Sequence, residues 1–121
     1  MILYDTNVLI DILKGKAECR DRDVCLCGMV CAELLHGAVS EKDRNRLMQF
    51  IRQFPILPFS EKDWIETGSR MYTLRIRGIS VPTNDVIIYQ TCASQKVALR
   101  TRDQHFPLIN ELFGEITIYG I

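Results

Sequence analysis

The first residues constrain the chain most. Met1-Ile2-Leu3-Tyr4 is an apolar run of the length of a short buried strand, and it stops at an acid, Asp5. Val8, Leu9, Ile12 and Leu13 then follow at the spacing of a helix with one buried face. Asp5 or Thr6 can accept the free amide hydrogens at the start of that helix, and Gly15 suits its end. The same grammar repeats. Val24 to Gly28 reads as a second strand, followed by a helix from about Val30 to Ala38 that closes near Gly37. Ser40 and Asp43 form a capping pair ahead of Leu47, Phe50, Ile51 and Phe54, and Pro55 stops that helix before a short strand, Ile56 to Phe59.

Ser60 and Asp63 repeat the capping pattern, with Phe59 and Trp64 placed as a hydrophobic staple across it. The helix they open is expected to run from Glu61 to about Arg77 and end at Gly78, with arginines near its negative end. Pro82-Thr83-Asn84 opens another helix, Lys96 to Leu99 feeds a strand ending near Thr101, and Glu115 to Tyr119 supplies a last strand. Strands alternating with helices imply βαβ units, hence a mostly parallel twisted sheet between two helical layers. No linker or repeat interrupts the pattern, so residues 1–121 are expected to form a single α/β domain.

Composition narrows the class. The chain is 47% hydrophobic and 25% charged, as a globule requires, and no apolar run approaches the roughly 20 residues of a membrane span. The first strand begins at once, without a basic segment and an apolar stretch before it, which gives the expectation of a cytoplasmic protein. The odd number of cysteines, Cys19, Cys25, Cys27, Cys31 and Cys92, argues for reduced thiols. Their spacing matches no standard zinc site, so core packing is the expected role. Lysine plus arginine and aspartate plus glutamate are 15 each, which gives the whole chain no attraction for a polyanion. A nucleic-acid ligand would need charges segregated on the surface.

Open parallel sheets bind ligands beyond the carboxyl ends of their strands. Asp5 follows the first strand, Glu33 lies in the first turns of the helix after the second, Asp85 is in the first turn of the helix opened by Pro82, and Asp103 follows Thr101. Each acid alone is explained by capping or a turn. Recurring at the same end of successive units, they can converge. Carboxylates so gathered repel, and must take up protons or a cation. Hard oxygen donors of this kind select Mg²⁺, Mn²⁺ or Ca²⁺, and such ions activate water and stabilise the leaving oxygen of a phosphodiester.

Four blocks in order, Leu3-Tyr4-Asp5-Thr6-Asn7-Val8-Leu9-Ile10, Glu33-Leu34-Leu35-His36-Gly37, Asn84-Asp85-Val86-Ile87-Ile88 and Thr101-Arg102-Asp103-Gln104-His105-Phe106, resemble the PIN-domain family, and especially its short VapC-like toxin ribonucleases. The resemblance runs along nearly the whole chain. It implies a PIN-like fold and a metal-dependent endoribonuclease that uses Mg²⁺ or Mn²⁺, with Asp5, Glu33, Asp85 and Asp103 as metal-binding and catalytic acids. It also implies site-ordering roles for Thr6, Asn7 and Thr101, a small antitoxin as partner, and a homodimer. The chain departs from the family pattern at Gly28 and Val30, where a hydroxyl residue is usual before the second acid. It departs again at Tyr89-Gln90-Thr91, in place of an alanine-rich stretch, and at His105, where many members carry another acid.

Arg100 and Arg102 flank Thr101, and strand alternation would place them on one side, where one of them could meet substrate phosphate. A base-stacking role for Tyr72 or Tyr89 has no independent support, and neither His36 nor His105 is assigned a catalytic role. Two other readings compete. A non-catalytic PIN-like module that only binds RNA or protein leaves four repelling carboxylates without a reason to be gathered. A phosphate-accepting receiver domain wants paired acids after the first strand and a lysine late in the chain, whereas Asp5 is followed by Thr6 and Lys96 precedes its strand.

Overall fold

A computed structural model describes residues 1–120. Eleven elements follow in the order β1 (Ile2–Tyr4), α1 (Thr6–Leu13), β2 (Val24–Cys27), α2 (Gly28–His36), α3 (Glu41–Ile51), β3 (Ile56–Leu57), α4 (Glu61–Ile76), α5 (Thr83–Gln95), β4 (Ala98–Arg100), α6 (His105–Phe113) and β5 (Ile118–Tyr119). The sheet order is β3-β2-β1-β4-β5, and every pairing is parallel. Helices α1, α2 and α3 touch in succession, as do α4 with α5 and α5 with α6, giving a helical layer on each face. This is the α/β/α arrangement expected. No helix among the described residues is long and apolar enough to cross a membrane.

Every residue of β1 and β2 is buried, which explains why both read as continuous apolar runs without alternation. The thiols of Cys25, Cys27 and Cys92 pack in this core, and all five cysteines are free. Helix starts follow the sequence closely. Asp5 caps α1, Ser40 caps α3, and Ser60 with Asp63 makes a complete capping box on α4. The Phe59 and Trp64 rings meet edge to face with centroids 4.7 Å apart, which closes the staple. Helix α2 starts at Gly28, two residues before the expected position, and its Cys27 cap supplies no side-chain hydrogen bond.

The departures have local causes. Lys96 does not feed β4. It sits in the left-handed region at φ 57° and ends α5, so the strand begins only at Ala98. Strand β5 is confined to Ile118 and Tyr119 because the amides before it are engaged elsewhere: Glu115 N–H donates to Tyr89 Oη and Ile116 N–H donates to Asn110 Oδ1. Helix α6 was not expected. Phe106 and Ile109 bury its inner face, Leu112 and Phe113 pack against the core, and Gly114 ends it at φ 64°.

The sheet's topology fixes where a ligand can sit. From central β1 the chain steps outward to β2 and β3, then crosses back to place β4 on the other side of β1. The switch point therefore lies between the carboxyl ends of β1 and β4, where Asp5 N–H donates to the Arg100 carbonyl oxygen at 3.0 Å.

Candidate metal centre

Asp5 leaves β1 at that switch point and is 5% exposed. Its Oδ1 accepts the Thr6 amide at 2.8 Å, while Oδ2 accepts the Thr101 hydroxyl at 2.7 Å and the Asn7 amide at 3.1 Å. The capping role and the site role therefore fall on the same carboxylate. Burial pushes the Asp5 carboxyl above its ordinary range, the Thr101 and Thr6 donors oppose that rise, and the charges of Glu33 and Asp103 add to it.

The Thr101 hydroxyl links two acids, because it also accepts the Asp103 amide at 3.0 Å. Asp103 then turns the chain into α6, its Oδ1 accepting the His105 amide at 2.9 Å. From the opposite side, α5 presents Asp85 in its first turn, 8% exposed. Its carboxyl is pushed up to about 6, first by burial and then by the charge of Asp103, with the His105 hydrogen bond opposing the rise. Asp85, Asp103 and His105 offer ligand atoms that all lie within 4.8 Å of one another.

Glu33 approaches from α2 and is tied in through its neighbours. Its Oε1 accepts the Thr6 hydroxyl at 2.9 Å and its Oε2 the Asn84 amide at 3.4 Å. Four carboxylates from four different segments are thus brought to one edge of the sheet, joined by hydroxyl and amide side chains. Asp85 and Asp103 share one donor cluster, while Asp5 and Glu33 join it through Thr101 and Thr6. The donor set fits a hard divalent cation: charged oxygens dominate it, and two of the carboxyls are held above their ordinary range until positive charge arrives.

The remaining candidates separate clearly. Arg102 is half exposed and pairs with Asp11 of α1 at 3.2 Å, and its amide donates to Asn7 Oδ1 at 3.3 Å. Arg100 is engaged elsewhere: Nε donates to Asp21 at 2.9 Å and Nη1 to the Gly120 carbonyl oxygen at 2.6 Å, which leaves it no free edge for phosphate. Tyr89 is fully buried, with its hydroxyl on Asn110, so it offers no face to a base. Tyr72 is exposed and lies beneath the Arg75 guanidinium. His105, marked in the sequence only as a departure from the family pattern that could alter metal preference and given no catalytic role, stands in the donor cluster. Its Nδ1 lies 2.9 Å from Asp85 Oδ2 and 3.0 Å from Asp103 Oδ1. The signal that finds it is the unexpected helix, whose first residue is placed against α5.

A family model described as PIN domain matches residues 2–112. No curated protein matches the sequence. Among solved structures, the chain is similar to a chain of VapBC2 from Rickettsia felis bound to a promoter DNA fragment, at TM-score 0.82 and 19% identity, covering 100% of this chain and 99% of that one. It is similar to a chain of DNA-bound VapBC from Salmonella typhimurium at TM-score 0.80 and 24% identity, with 98% and 96% covered. FitAcB from Neisseria gonorrhoeae gives TM-score 0.74 and 23% identity over 98% and 96%. These likenesses carry the fold, and with all but the chain's ends matched by the family model, the protein belongs to the PIN-domain family.

Proposed function

We propose that the protein is a metal-dependent endoribonuclease that hydrolyses RNA phosphodiester bonds, and that it is the toxin of a toxin–antitoxin pair. The observation that carries the reading is the gathering of Asp5, Glu33, Asp85 and Asp103 at one sheet edge, with Asp85 and Asp103 close enough to share a cation. In this reading the four acids hold Mg²⁺ or Mn²⁺, which when bound supplies an activated water and neutralises charge on the leaving oxygen. Thr101 and Asn7 orient Asp5, and Thr6 orients Glu33. Arg102, held beside the site by Asp11, is the candidate for meeting substrate phosphate. A small cognate antitoxin and a second copy of the chain are the proposed protein partners. The toxin reading draws support from the fold shared with VapBC chains.

The test is cleavage of a mixed cellular RNA pool by purified protein with Mg²⁺ or Mn²⁺, with chelator, and with Asp5→Asn beside it. Cutting that requires metal and is lost in the folded variant is the expected result. A folded wild-type protein that binds metal yet cuts nothing would favour a binding module instead. Arg102→Ala is expected to weaken RNA affinity or turnover, and unchanged values for both would remove Arg102 from the substrate site.

A further inference from the structure

We propose that His105 is itself a metal ligand, through Nδ1, and that it biases the centre away from Mg²⁺ toward Mn²⁺ and other first-row transition ions. The inference rests on the reading of the acids as a divalent-ion site, and adds a nitrogen donor to it. The separations carry the argument. Nδ1 stands 2.9 Å from Asp85 Oδ2 and 3.0 Å from Asp103 Oδ1. Adjacent donors around an octahedral ion with bonds of about 2.1 Å lie about 3.0 Å apart, so the nitrogen already has the spacing of a neighbouring ligand to each carboxylate oxygen, and all three atoms lie within 4.8 Å of one another. The same nitrogen is hydrogen-bonded to Asp85 Oδ2, and the His105 amide donates to Asp103 Oδ1, which accounts for the ring's position before an ion arrives.

The placement is built into the backbone. Thr101 accepts the Asp103 amide, Asp103 accepts the His105 amide, and α6 begins at His105, so the turn delivers the ring to the acids in a set direction. Burial of Phe106 and Ile109 in the core anchors the helix that carries it. Chemically, a neutral imidazole standing where a further carboxylate could adds no negative charge and supplies a softer donor. Mg²⁺ and Ca²⁺ prefer an all-oxygen shell, whereas Mn²⁺ and the later divalent ions accept nitrogen. The two histidines differ in this respect: His36 lies in the last turn of α2, outside the donor cluster.

The experiment uses the whole protein, stripped with chelator and reloaded with Mn²⁺ alone. Pulsed electron paramagnetic resonance reads ¹⁴N coupling to the ion, and calorimetry reads Mn²⁺ and Mg²⁺ affinities of wild type and His105→Asp, with circular dichroism confirming the fold. The expected result is a ¹⁴N coupling in the wild type that His105→Asp abolishes, with the Mn²⁺ to Mg²⁺ affinity ratio falling about tenfold. Bound Mn²⁺ without that coupling, or with a coupling or ratio that His105→Asp leaves unchanged, overturns the role of His105 and leaves the four acids standing. A folded wild type that binds no Mn²⁺ overturns both.

Discussion

Replacing Asp85 by asparagine is expected to make the metal-free protein more stable while abolishing the divalent-ion binding proposed for it. Asp85 is nearly buried, and its carboxyl is pushed from 3.8 up to about 6 by burial and by the charge of Asp103. The folded state therefore holds its proton more tightly than the unfolded state does. Ionising Asp85 costs nothing in stability below the ordinary value; the penalty grows between the two values and is fully present above the higher one. At neutral pH the displacement corresponds to about 3 kcal/mol. Asparagine keeps the shape and an acceptor for His105 but loses the charge-assisted part of that bond, about 1 kcal/mol. The net gain is about 2 kcal/mol, or about 8 °C in a domain of this size. Urea unfolding of both proteins in chelator, repeated from neutral pH down through 6 toward 4, measures it. The advantage of the variant should shrink along that series, and saturating Mg²⁺ or Mn²⁺ should stabilise the wild type alone. A variant no more stable than wild type at neutral pH in chelator, or a gain independent of pH, would refute the reasoning.

Thr101→Val keeps the shape of the side chain but removes the donor to Asp5 and the acceptor for the Asp103 amide. It should cost about 2 kcal/mol in urea unfolding and weaken metal binding in calorimetry, with Thr101→Ser restoring both. Arg70→Ala should cost about 3 kcal/mol, read by thermal unfolding with RNA cleavage assayed below the transition. It leaves the buried Gln90 Oε1 without the Arg70 Nε donor at 2.7 Å and frees Glu115, whose carboxyl the guanidinium now holds below its ordinary range.

The elements legible from sequence were those whose signals are local. The Ser60 and Asp63 box and the runs of β1 and β2 each lie within a few residues, and the structure has them in place. The meeting of Asp5, Glu33 and Asp103 was legible because the βα order sends every strand's carboxyl end to one edge, whereas Asp85 follows α4 rather than a strand and was placed only by the Pro82 helix start. His105 was not legible in this way, because its approach to Asp85 bridges twenty positions and depends on α6 docking against α5. Which of Arg100 and Arg102 stays free was hidden for a related reason: Asp21, seventy-nine positions away, takes the Arg100 guanidinium. The departure at Tyr89-Gln90-Thr91 became intelligible only through partners. Gln90 is buried where it accepts from Arg70 and donates to Asp63 and Glu66, a linkage between α4 and α5 that no local pattern announces.

The central position of β1 also sets the timing of biosynthesis. Its residues 2–4 are made well before one of their two neighbours, β4, at residues 98–100. Translation proceeds at roughly 5–20 residues per second, so Asp5 waits several seconds for Thr101 to exist. Pairing of segments so distant along the chain is intrinsically slow, and it must precede any gathering of Asp5 with Asp103. A nascent chain, or one cut short before Asp103, carries some of the acids but no assembled centre. Whatever activity the edge of this sheet supports is withheld until Asp103 has been made and β4 has joined β1.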